Sequence, residues 1–179
     1  GGIIGKNENI LEHSMTTNMI CQILLKELRW DIHTSQLKIS MAAFFHDISI
    51  TEFDEDIEVL ESKATYDIDS LKELNPNFFN HPLKAAELFD KMKNMPSDVA
   101  QIISSHHELP NGKGFPKGLF GARTVPLACL FNTVHYFCVR CNSTGWTKKS
   151  ISKILKEMEE NFHDRNYEKP YKALLKIFK

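Results

Sequence analysis

Ser105-His106-His107-Glu108-Leu109-Pro110-Asn111-Gly112-Lys113-Gly114-Phe115-Pro116-Lys117-Gly118-Leu119 holds the pattern on which the reading of the chain turns. Two adjacent histidines close an apolar helical run, Val99 to Ile103, and a loop punctuated by Gly and Pro follows at once. Adjacent histidines at a helix end point in different directions. Both can serve one site only if that site is large, and a pair of metal ions is such a site. Taken alone, the stretch reads equally well as a polar helix end followed by a surface loop. Upstream, however, His46-Asp47 closes a second apolar run, Met41-Ala42-Ala43-Phe44-Phe45. Two polar pairs at the ends of two buried helices imply convergence on one polar centre.

Composition narrows the class. A chain of 179 residues is one domain by default. It can bury roughly 70% of its unfolded surface without disulfides. The 22 basic and 23 acidic residues leave a net charge of -1. That balance gives no electrostatic case for a nucleic-acid polymer or a membrane surface as partner. Cys138 and Cys141 form a lone C-x-x-C inside a helical pattern, which reads as buried reduced thiol rather than a zinc clip. No apolar run approaches the length of a membrane span and no signal peptide is visible, so a cytoplasmic location is expected. The chain begins Gly1-Gly2-Ile3 and enters a helix within a few residues. It is therefore expected to be the C-terminal part of a longer protein, with residues 1–179 forming a single domain.

The periodicity predicts helices throughout. Over Glu8 to Trp30, the positions Ile10, His13, Thr17, Ile20, Leu24 and Leu28 form one face. His13 lies on it, where a lone histidine is more often a hydrogen-bonded core residue than a ligand. Ser35 to Ile48 is the second helix. Ser49 to Thr65 holds Glu52, Asp54, Glu55, Asp56, Glu58 and Glu61, and reads as a solvated acidic loop and short helix. Asp67 to Leu74 is a further helical turn. Asn80 is expected to N-cap the next helix, with Pro82 in its first turn and His81 at its positive end, which favours neutral imidazole. A helix from Pro96-Ser97-Asp98 ends at His106-His107, where the negative end of the dipole welcomes a cation. Thr124 and Pro126 open another, which carries His135. Thr147 is expected to cap a helix from Lys148 to Phe162, and Tyr171 to Phe178 closes the chain. His33 and His163 read as surface residues. No alternating strand pattern appears, so the fold class is all-α, a helical bundle.

Six of the eight histidines can face one centre: His13, His46, His81, His106, His107 and His135. With Asp47, the one carboxylate placed to bridge, they offer seven N/O ligands. One zinc site uses three or four. Seven suit two octahedral ions, and imidazole plus carboxylate without thiolate fits iron or manganese. Two ions roughly 3.5–4 Å apart can hold a hydroxide and a phosphate oxygen together.

These residues carry a resemblance. From about Asn9 to Lys149 the chain resembles the HD-GYP family, a branch of the HD-domain metal phosphohydrolases. His46-Asp47 is similar to its HD dipeptide and His81-Pro82 to a histidine-proline pair in a later helix. His106 to Leu119 is similar to its HHE-x-x-(D/N)-G-x-G-Y-P-x-G-L signature, with Phe115 in place of Tyr. The resemblance implies an HD-domain-like bundle with a buried binuclear site. It implies hydrolysis of the bacterial messenger cyclic di-GMP, or a related cyclic dinucleotide, through a hydroxide held between two metals, iron first and manganese second. It implies His46 and Asp47 as the catalytic dipeptide and His13, His46, Asp47, His81, His106 and His107 as ligands. The family's last ligand, an aspartate, falls at His135.

Four departures stand out. Asn9 replaces a glutamate that supports a third metal in the family, so two metals are expected. Ile50 stands where a lysine holds a substrate phosphate. Phe115 replaces the tyrosine that contacts substrate. The basic cluster beyond the last ligand is thinned, with the family's arginine near Thr144. Lys113, Lys117, Lys148 and Phe115 remain the candidate substrate contacts. Two functions follow: a phosphodiesterase with weak turnover, or a non-catalytic signalling module. The latter would bind a cyclic dinucleotide, or a protein through Glu108 and the loop Asn111 to Phe120. A scaffold with purely structural histidines is the third reading, and a costly one, because buried polar groups need partners.

Overall fold

In the computed structural model, which describes residues 3–50, 56–163 and 165–179, the chain folds as α1 (Ile3–Leu28), α2 (His33–Phe45), α3 (Ile57–Lys63), α4 (Ile68–Leu74), α5 (Pro76–Asp90), α6 (Ser97–Ser104), α7 (Pro126–Thr144), α8 (Lys148–Glu159) and α9 (Glu168–Phe178). Among the described residues there is no strand, only an isolated antiparallel bridge between Asn111 and Phe120. The all-α class expected from the sequence is therefore observed. None of the described helices is long and apolar enough to cross a membrane.

Helix α7 is the axis. Its buried residues, among them Leu130, Phe131, Val134, Phe137 and Cys138, run around its whole circumference. A helix apolar on all sides belongs in the middle of a bundle. Helices α1, α2, α3, α6, α8 and α9 all pack on it. Helix α5 lies across α6, and α4 rests on α5. The inward face of α1 is the one the spacing predicts, with Thr17, Ile20 and Leu24 buried. All four cysteines are buried free thiols, and burial pushes Cys138 and Cys141 up to about 12. A second, smaller apolar cluster joins Ile50, Leu60, Ala64, Leu71, Phe78 and Phe115.

Local rules set most boundaries. Thr147 caps α8 by accepting the Ser150 N–H. Asp56 caps α3 by accepting from Glu58 and Val59. Helix α5 departs from the expected start. It begins at Pro76, a residue suited to a first helical position, rather than at Asn80. The Asn80 side chain donates to the Pro76 carbonyl at 2.8 Å instead. His81 is thus inside the helix and not at its positive end, and Pro82 follows it in the interior.

Leu24, fully buried between α1 and its neighbours, is a fair probe of this core. Leu24→Ala is expected to cost about 2–5 kcal/mol by urea unfolding. Leu11→Ala, on the exposed face of the same helix, should stay within about 0.5 kcal/mol of the parent.

Candidate metal centre

Among the described residues, six helices deliver eight buried polar side chains to one place. His13 comes from α1, and His46-Asp47 follows the end of α2. Glu61 comes from α3, His81 from α5 and His135 from α7, while His106-His107 follows the end of α6. All eight are buried. Ring centroids of His13, His46, His106, His107 and His135 lie 4.3–5.6 Å from their nearest histidine neighbours.

Three of these rings are set by one device. His46 Nδ1 lies 2.9 Å from the Ala43 carbonyl, His81 Nδ1 2.6 Å from Phe78 and His106 Nδ1 2.7 Å from Ile103. The partner is always three residues back. A carbonyl only accepts, so each Nδ1 carries a hydrogen and Nε2 is the nitrogen left to face the centre. At His46 and His106 the acceptors are last-turn carbonyls, which a helix end leaves available. At His81 the cause is different. Pro82 has no N–H to give the Phe78 carbonyl four residues behind it, and the ring N–H of His81 donates there. His13 lacks this arrangement. Its Nδ1 faces the amide nitrogen of Asn142 at 3.4 Å, and Asn142 Oδ1 accepts from Trp146.

The donor atoms left over point inward. Among the described residues, His13 Nε2, His46 Nε2, Asp47 Oδ1, both Glu61 oxygens, His107 Nε2 and His135 Nε2 are buried without a hydrogen-bond partner. His81 Nε2 and His106 Nε2 meet at 3.0 Å, two bare lone pairs that need a proton or a metal ion. The potential ligand atoms of His13, His46, Asp47 and His135 lie within 4.8 Å of one another, as do those of His81, His106 and His107. Buried, unpaired and rich in imidazole, this donor set fits transition-metal ions and not a hydrogen-bonded core. The Nδ1–carbonyl contacts are the outer support that metal-binding histidines ordinarily have.

Burial governs the electrostatics. It holds His13 down to about 4, aided by His46, and keeps His106, His107 and His135 well below the usual imidazole range, aided by their histidine neighbours. Burial also opposes charge on His46, but the adjacent Asp47 carboxylate outweighs it and raises that ring. Burial alone would raise Asp47, yet His46, His81 and His106 together hold it well below the usual carboxylate range. Burial and the charge of Asp47 push Glu61 up to about 8.

Glu61 corrects the reading of the acidic run. Glu52, Asp54 and Glu55 lie outside the described residues, Asp56 is a helix cap and Glu58 is exposed, but Glu61 is only 7% exposed. Asp47 is therefore not the lone carboxylate at the centre. The sequence does carry a signal. Ile57, Leu60, Glu61 and Ala64 stand at i, i+3, i+4 and i+7, an inward helical stripe with a glutamate in one apolar position.

The substrate positions fall elsewhere. Lys113, Lys117 and Lys148 are exposed, outside the buried cluster. Phe115 is fully buried, stacked on His107 with centroids 4.4 Å apart, and Ile50 is fully buried in the same apolar cluster. Glu108 is 1% exposed, so it is not contact surface as expected of a docking loop. Its carboxylate accepts the Lys117 and Leu119 N–H groups, each at 2.7 Å, and holds the loop shut. Gly114 permits this closure, since a Cβ there would sit 2.3 Å from the Leu109 nitrogen. A small cleft lined by Ala64, Thr65, His106, His107 and His135 reaches the edge of the histidines. His33 and His163 are at the surface, as expected.

The shifts fix the sign of a pH dependence. Without metal, the four depressed imidazoles stabilise the fold fully above the ordinary 6.5, and that contribution is lost as pH falls toward the folded values, about 4 for His13. Asp47 acts in the same direction at lower pH, while the raised His46 and Glu61 oppose it and are outnumbered. Metal-free protein should show a falling Tm between about pH 7 and about pH 5. A flat or rising Tm across that series contradicts the burial of neutral imidazoles.

Comparison with known proteins bears on the family and the fold. The sequence pattern described as HD domain matches residues 3–169. A comparison with curated proteins returns no match. By fold the chain is similar to Bd1817, an HDG"Y"P protein from Bdellovibrio bacteriovorus, with a TM-score of 0.71 and 20% identity, over 94% of this chain and 52% of that one. The chain thus spans about half the length of that protein. With the sequence pattern covering most of its residues, the chain belongs to the HD-domain family, and its fold is that of an HD-GYP-type protein.

Proposed function

We propose that the chain is a metal-dependent phosphohydrolase of the HD-GYP type, directed at cyclic di-GMP or a related phosphodiester. One observation carries the reading. Asp47 Oδ2 lies 3.0 Å from His46 Nε2, and Oδ1 lies 3.4 Å from His81 Nε2 and 3.7 Å from His106 Nε2. Its two oxygens thus face two different ligand groups, as a carboxylate shared between two ions must. His13, His46 and His135 would complete one position, and His81, His106 and His107 the other. Iron or manganese bound there would polarise a phosphoryl oxygen and lower the pKa of water.

The chain's own residues prepare that chemistry. The depressed imidazoles stay neutral at neutral pH, which leaves one nitrogen of each ring free of a proton. His46-Asp47 and His106-His107 follow the C-terminal ends of α2 and α6, whose negative dipole ends would favour a cation held there. Phe115 and Ile50 close one side with apolar surface and exclude water.

The same enclosure favours a second reading, a metal-containing signalling module. Ile50 and Phe115 offer no group for a phosphate, and the lysines stay at the surface. Each missing charge-assisted contact costs roughly 1.5–3 kcal/mol, about ten- to a hundred-fold in rate if it acts in the transition state.

Protein purified without chelator is expected to carry near two equivalents of iron or manganese. Asp47→Asn should lose at least one equivalent and lower Tm, while Asp31→Asn, exposed in the α1–α2 turn, should do neither. Turnover of cyclic di-GMP should be weak and that of a small activated phosphodiester measurable. Full metal loading with no cleavage of either would give the signalling module precedence. A reproducible metal content near zero would sink both readings.

A further inference from the structure

We propose that Glu61 is a metal ligand, the second carboxylate of the centre, delivered by α3 to the side facing His107 and His135. The inference rests on the binuclear reading above and adds a ligand to it.

The placement repeats that of Asp47. Glu61 Oε1 lies 3.4 Å from His107 Nε2, and Oε2 lies 3.7 Å from His135 Nε2. His107 groups with His81 and His106, and His135 with His13, His46 and Asp47, while the two also share a group with Glu61. Each oxygen of Glu61 therefore faces a different group, as each oxygen of Asp47 does. The ligand atoms of Glu61, His107 and His135 fall within 4.8 Å of one another, and so do those of Asp47, Glu61 and His81.

Chemistry excludes the bland role. Glu61 is 7% exposed, and among the described residues neither of its oxygens meets a hydrogen-bond donor. Such a group is costly to bury unless a cation meets it. The groups that approach it are the imidazole nitrogens of His107 and His135, at 3.4 and 3.7 Å, too far for either to satisfy it fully. Two divalent ions would answer both demands. They would satisfy the two oxygens, and a second carboxylate would offset more of their charge where water is excluded.

The fold holds Glu61 to this task. Asp56 caps α3, and Leu60 and Ala64 bury beside Glu61 in the cluster with Ile50 and Phe115. Helix α3 packs on α7, which carries His135.

The test uses the whole chain as metal-loaded and metal-free parent and Glu61→Gln. Three quantities are read: metal equivalents after gel filtration, the half-time of extraction by EDTA, and Tm with and without metal. Glu61→Gln keeps shape and removes the charge, so its metal-free Tm should match or exceed the parent's. Its Tm gain on metal loading should shrink, and extraction should quicken at least ten-fold. Glu61→Asp, retaining the carboxylate, should recover part of that difference. If Glu61→Gln matches the parent in metal content and extraction rate, the ligand role is wrong while the centre stands. A metal-free Tm that drops, with metal retention unchanged, assigns Glu61 a packing role and also overturns the proposal. If the parent itself binds no metal and Asp47→Asn changes nothing, the centre fails and the proposal falls with it.

Discussion

A ring N–H donated to the carbonyl three residues back, repeated at His46, His81 and His106, is the contact on which the centre depends. It does two things at once. It ties the ring to the backbone of its own helix, and it fixes which imidazole nitrogen faces the centre. Helix ends supply the acceptor for His46 and His106, and a proline inside α5 frees it for His81. Secondary structure and ligand tautomer are therefore set by the same bonds. Few local changes can disturb one without the other.

The second constraint is charge in a place without water. Buried imidazoles stay neutral because burial penalises their protonated form, and each suppresses its neighbours. Asp47 stays ionised only because three histidines face it. Glu61, lacking hydrogen bonds, is pushed up to about 8 instead. These opposed shifts describe a cluster incomplete as a set of hydrogen bonds. Metal cations would complete it, and the cluster lies where α2 and α6 end, the negative end of each helix dipole.

Access is the counterpart of this enclosure. The loop that follows His106-His107 is locked by Glu108 through two backbone amides, while Tyr167 and Asn132 bond the Glu108 carbonyl. Phe115 is thereby pressed onto His107, and Ile50 fills the cluster behind it. What protects the ligands from water also removes groups that would grip a phosphate. The lysines of the loop and of α8 remain exposed, beyond the apolar wall.

Much of this was legible in the sequence. Helical periodicity, the absence of alternating strands and the polar pairs closing apolar runs sufficed for the all-α class and for a gathering of six histidines with Asp47, because those features are local or repeat at a fixed period. The start of α5 was misplaced, because Pro76 and Pro82 both suit a first turn and only packing on α6 chose between them. Glu108 read as surface, because its partners lie nine and eleven residues on, across a turn whose closure needs Gly114. Glu61 read as solvated, because charge in an acidic run is normally exposed. Only the tertiary structure turned it inward, when Leu60 and Ala64 beside it packed against Ile50, Phe78 and Phe115. Composition and period determined which residues could meet. Long-range burial decided which carboxylates did.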